Sequence, residues 1–179
     1  MINKKSEIKK LLSVFDEHLP KDSRVTIIFL IFSLLTPVPS IRLGKSTLRP
    51  PRENITENFL IHAVDEEDDL DAKLLKKKKF LEQFKLSNQP VVVVIGSDVK
   101  TIKKSIVVIN NINYEAKSTL EAIDIAFKSF FSLQIKYPEI AENIWRAIQE
   151  KFYEIHVPGD KPLTSTITNL LSFLKQAAK

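Results

Sequence analysis

Val91 to Ile95 is an unbroken run of β-branched apolar residues, VVVVI. An amphipathic strand or helix at a surface must keep one face polar, so neither produces such a run. A strand buried on both faces does. It belongs in the middle of a sheet, with helices above and below. Residues 106–109 form a second apolar strand. Asn110-Asn111 tolerates positive φ and marks a tight turn into a strand over residues 112–115.

Upstream, residues 59–64 read as another strand. A helix over about 66–84 follows, with Asp65 as its N-cap and acids in its first turn, where the helix dipole favours them. Strand, crossover helix and strand in one sheet make a right-handed parallel unit. The predicted fold class is therefore α/β. A small mixed sheet of about four strands (59–64, 91–95, 106–109, 112–115) is covered by helices, with a helical C-terminal part over about 118–136, 138–154 and 163–176. Ser97 or Asp98 is read as the cap of a short helix ending near Lys104.

Ile8, Leu11, Leu12, Phe15 and Leu19 recur at helical spacing and predict an amphipathic helix over residues 3–18. The run at residues 25–36, VTIIFLIFSLLT, carries no charge. A membrane-spanning helix needs about twenty apolar residues, and this run is shorter by about eight. It reads as a helix buried against the protein, with membrane association the lesser reading. Pro37, Pro39, Pro50 and Pro51 punctuate the next segment, and Arg42, Lys45, Arg49 and Arg52 make it basic. The expected division is an N-terminal extension over 1–36, an extended basic linker over 37–58 and an α/β domain over 59–179.

The chain has no Cys, which removes disulfides, thiol nucleophiles and thiolate metal sites. His18, His62 and His156 lack the spacing of a zinc helix. No glycine-rich phosphate loop is present. Gly96-Ser97-Asp98 lies at a strand end, but a lone glycine beside an acid is a poor anion cradle. His62 falls on a strand beside no sequence-evident nucleophile and reads as a hydrogen-bonded structural residue. No catalytic residue, metal or cofactor is expected.

Net charge is +5. A candidate basic patch combines Arg42, Lys45, Arg49 and Arg52 with Lys76, Lys77, Lys78 and Lys79. Four consecutive helical residues span about 300° of helix surface, so those lysines cannot share one face. Lys77 falls on the apolar stripe of Leu70, Leu74, Leu81 and Phe84, where its stem packs and its ammonium is expected to snorkel outward. Near the C-terminal end, helices over 118–136 and 138–154 are expected to form an antiparallel hairpin about Tyr137-Pro138, with Trp145 near Phe130 or Phe131. Asp124 then meets Lys151 as a structural ion pair, with Lys128, one turn along, as the competing partner.

Arg42-Leu43-Gly44-Lys45, Phe59-Leu60-Ile61-His62, QPVVVVIG, SIVVINNINY, STLEAIDIAFKSFF and Tyr137-Pro138 followed by NIWRAIQEKFYEI occur in that order. This set, over roughly residues 40–155, resembles a domain of uncharacterised arthropod and fish proteins. It is similar there to the C-terminal region of SAM-domain-like proteins. The resemblance implies an intracellular animal protein, nuclear or cytoplasmic, and carries no activity. No SAM module is recognisable in the first 36 residues. The functional expectation is a non-enzymatic module that binds a protein partner or another copy of itself. The alternative is a nucleic-acid-associated nuclear protein using the basic segment and the lysine helix.

Overall fold

The structure, a computed structural model, describes residues 4–65, 68–159, 162–169 and 172. Its elements are α1 (Lys4–Val14), α2 (Lys21–Leu35), β1 (Ile41–Leu43), β2 (Ser46–Leu48), α3 (Arg52–Glu57), β3 (Leu60–Ala63), α4 (Asp69–Gln83), β4 (Val91–Ile95), β5 (Lys104–Ile109), β6 (Ile112–Ala116), α5 (Thr119–Ser132) and α6 (Glu142–Lys151). Residues 165–169 are also helical; most of the rest of the helix expected over 163–176 lies outside the described residues.

The expected α/β class is found. The main sheet is ordered β3-β4-β5-β6. β3 runs parallel to β4 with Leu60 opposite Val92, and β4–β5 and β5–β6 are antiparallel. β4 is central and buried at every position. Its alternating side chains explain the unbroken apolar run. Val92 and Val94 join one core cluster, with Phe29 and Phe32 of α2, Ile55 of α3, Phe127 and Phe130 of α5 and Trp145 of α6. Val91, Val93 and Ile95 join a second, beneath Leu70 of α4. Period-two alternation thus feeds two cores at once. The β5–β6 turn is Asn110-Asn111, with φ of 50° and 63°, the pattern of a type I′ hairpin.

The apolar run at 25–36 is the body of α2, a helix against the protein, as expected. No described helix is long and apolar enough to cross a membrane. Pro37 pushes the preceding Thr36 to ψ 138° and ends α2. Phe29 and Phe32 share a cluster with β4 and α5, so no gap in packing separates α2 from the sheet. Nor is 37–58 simply extended. β1 and β2 pair as a hairpin with Gly44 at φ 60°, and α3 buries Asn54 and Ile55. The prolines flank these elements rather than interrupt them.

Three other expectations are corrected. The short helix after Gly96 is a loop, closed by Thr101 N–H on the Asp98 carbonyl at 3.1 Å and Lys103 N–H on the Ile95 carbonyl at 2.8 Å. A Cβ on Gly96 would lie 2.1 Å from the Thr101 carbonyl oxygen, so this return loop needs glycine there. α4 begins at Asp69, although the Asp65 carboxylate still accepts the N–H groups of Asp68 and Asp69 at 2.9 and 3.0 Å. Finally, α5 stops at Ser132 and α6 starts at Glu142, so Pro138 lies in the connection and not in a helix. Gln134 at φ 52° ends α5. Its N–H reaches the Phe131 carbonyl at 3.1 Å, and Ile135 N–H reaches the Phe130 carbonyl at 3.0 Å. This is a Schellman motif with Gln at the glycine position.

Candidate functional site

The exposed outer strand β6 is the least protected part of the sheet. It pairs with β5 on one side, and no described strand pairs with the other. Every residue from Ile112 to Glu115 is exposed. Ile112 and Tyr114 are 56% and 45% exposed, despite their apolar bulk. Both point toward α5 and line a shallow groove with Ile125, Ser129 and Leu133. Asn113 and Glu115 face the α4 side, where Glu115 meets Lys104 at 2.7 Å. Edge strands are normally blunted by lysine, proline, bulges or a covering loop. The five residues of β6 contain neither lysine nor proline, and its register with β5 runs without a bulge from Ile109↔Ile112 to Ser105↔Ala116.

Half of the candidate basic patch is engaged within the protein. Arg52 donates to the carbonyls of Leu34 and Thr36 at 2.7 and 3.0 Å and caps the C-terminus of α2. Lys76 pairs with Glu53 and lies 3.9 Å from Glu57, and Lys78 lies 3.9 Å from Glu82. Lys77 does not snorkel. It is 3% exposed, and its ammonium donates to Asn88 Oδ1 at 2.6 Å. Burial lowers its pKa to about 8. Arg42, Lys45, Arg49 and Lys79 remain exposed, the first three on or beside the β1–β2 hairpin and the last on α4. Internal carbonyls and acids therefore hold half of the candidate set.

Asp124 meets Lys128, with Nζ 2.7 Å from Oδ2, and not Lys151, which is exposed. The long connection between α5 and α6 removes the hairpin levels on which the Lys151 pairing rested. Tyr153, just past α6, instead donates its hydroxyl to Asp124 Oδ1 at 2.5 Å and stacks on Phe127. Burial raises the Asp124 pKa, but the hydrogen bonds from Lys128 and Tyr153 outweigh it and hold the carboxyl below its usual range. Burial and the same carboxylate push the Tyr153 phenol up. Trp145 does sit by Phe130, edge-on with centroids 5.0 Å apart.

A cleft of about 530 Å3 opens beside β3, between α1, α2, α3 and residues 97–100 of the loop that follows β4. Its polar groups are largely committed to structure. His62 Nε2 lies 2.9 Å from the Gly96 carbonyl, which only accepts, so Nε2 carries the proton. Burial lowers the His62 pKa, although the bond to Gly96 favours the charged ring. Lys73 donates to the His62 carbonyl at 2.5 Å and to Asp69 at 2.9 Å. Burial raises the pKa of Glu57. Among the described residues no cluster of His, Asp and Glu could hold a metal.

Sequence reasoning missed Ile112 and Tyr114 as a surface. Their alternation with Asn113 and Glu115 signals a strand with one apolar face, but not that α5 leaves that face largely uncovered. No protein-family model matches the chain, and no match was found among curated proteins or solved structures.

Proposed function

We propose that the protein is a non-enzymatic self-association module and that two copies join through β6. The observation that carries this reading is the unprotected, exposed edge of β6 with Ile112 and Tyr114 on one face. Edge pairing supplies main-chain hydrogen bonds, and side chains on alternate positions supply selectivity. An antiparallel pairing centred on Tyr114 is isologous. It sets Asn113 opposite Glu115 and Ile112 opposite Ala116, so no like charges stand directly across the seam. The apolar grooves of the two copies then lie on one continuous face.

Sedimentation velocity over about 1 µM to about 0.5 mM is the test, a range that brackets a micromolar dimer. A concentration-dependent dimer is expected. Ile112→Lys with Tyr114→Lys should return a folded monomer, because lysine blunts an edge. A monomer throughout, or a dimer that these substitutions leave intact, would reject the reading.

A further inference from the structure

Six consecutive residues of α6, Ile144 to Gln149, are buried. At 100° per residue they wrap the whole helix, so Arg146 projects from a stretch with no solvated face. Arg146 is 7% exposed, and its Nη2 has neither solvent nor a hydrogen-bond partner. No ion pair or hydrogen bond joins it to any described residue. A guanidinium cannot shed its proton in a protein. A buried cation without a partner costs several kcal/mol, so such a group is expected to have an anion to meet.

Arg146 lines a cavity of about 280 Å3 between the end of α5 and α6. Phe130, Ile135, Tyr137 and Val157 give that cavity an apolar wall. Gln149 is engaged elsewhere: it accepts from the Tyr137 hydroxyl at 2.8 Å and donates to the Ile155 carbonyl at 3.1 Å. Glu139, Glu142 and Lys136 also border the space. Two carboxylates there disfavour a multiply charged anion such as phosphate.

We propose that this cavity binds a small monocarboxylate with an apolar body, its carboxylate on Arg146 and its body against Phe130, Ile135 and Tyr137. Arginine and carboxylate match as a fork, and the apolar wall takes the remainder. The site is independent of the β6 edge.

Trp145 is the only tryptophan, and it packs on both Phe130 and Tyr137, so its fluorescence reports on the cavity. The full chain is titrated with benzoate, benzyl alcohol and inorganic phosphate. Saturable benzoate binding is expected, with benzyl alcohol and phosphate weaker by roughly tenfold or more, the weight of a charged hydrogen bond. Arg146→Met should weaken benzoate by a similar factor. Val157→Phe fills the mouth and keeps the charge, and it should also abolish binding. It decides the matter if Arg146→Met does not fold. Equal binding of benzoate and benzyl alcohol, phosphate binding as tight as benzoate, no saturation by benzoate, or full affinity in Val157→Phe would each overturn the proposal.

Discussion

Lys77 is a charged side chain held almost entirely inside the protein. Its ammonium is buried, and burial brings its pKa from 10.5 to about 8. Unfolded Lys77 keeps its proton to about 10.5, so between these values the unfolded state binds the extra proton. Stability therefore rises with pH through that window, and the penalty is fully present below about 8. The shift is on the order of 3 kcal/mol. Lys77→Met removes the charge and keeps the volume. We expect the variant's advantage in urea unfolding to shrink as pH rises from about 8 to about 10.5. A difference independent of pH would show that the ammonium reaches water after all. The sequence placed Lys77 on an apolar stripe but not its ammonium, since snorkelling and burial look alike until Asn88 is seen to supply an acceptor at 2.6 Å. Asp124 is similar. Its partner Lys128 lies on its own helix and was legible as a competitor, whereas Tyr153 is 29 residues away and reaches it only through tertiary packing.

At the scale of elements, the strands were the most legible part, because alternation and uninterrupted apolar runs report burial directly. β4 and the Asn110-Asn111 turn fall where the sequence puts them. Helix ends were the least legible. Helices commonly end on a glycine in the left-handed region. Here Lys85 ends α4 at φ 56° and Gln134 ends α5 at φ 52°, so that signal is missing. The helix expected over 118–136 therefore ran four residues past Ser132. The same feature yields a prediction. Gln134→Gly should stabilise the fold by about 0.5–1 kcal/mol, because the left-handed backbone suits glycine. Ala126→Gly, in the buried middle of α5, should destabilise it by at least about 1 kcal/mol. Equilibrium unfolding of both variants tests the pair. A destabilised Gln134→Gly would mean that the glutamine side chain matters more than its backbone.

At the scale of the molecule, the question is whether residues 1–36 are an appendage. Charge and proline placement suggest a boundary, but neither records what an apolar helix packs against. α1 buries only Leu11, whereas α2 buries Ile27, Phe29, Phe32 and Leu34. Each such side chain contributes about 1.5–3 kcal/mol, together about 6–12, against a usual domain stability of about 5–15. α2 is also tied in by polar groups. Asp22 accepts the Thr119 N–H at 3.0 Å at the start of α5, Ser23 donates to the Lys100 carbonyl at 2.7 Å, and Arg52 closes the far end. Removing α2 would uncover the Phe59 and Val92 side of the sheet and leave these groups unpaired. We therefore expect a chain starting at residue 17 to keep a cooperative thermal transition with a modest loss. A chain starting at residue 37 should lose the transition and expose apolar surface to a hydrophobic dye. A cooperative melt in the shorter chain would restore the boundary read from the sequence and make α2 a docked segment that the sheet can do without.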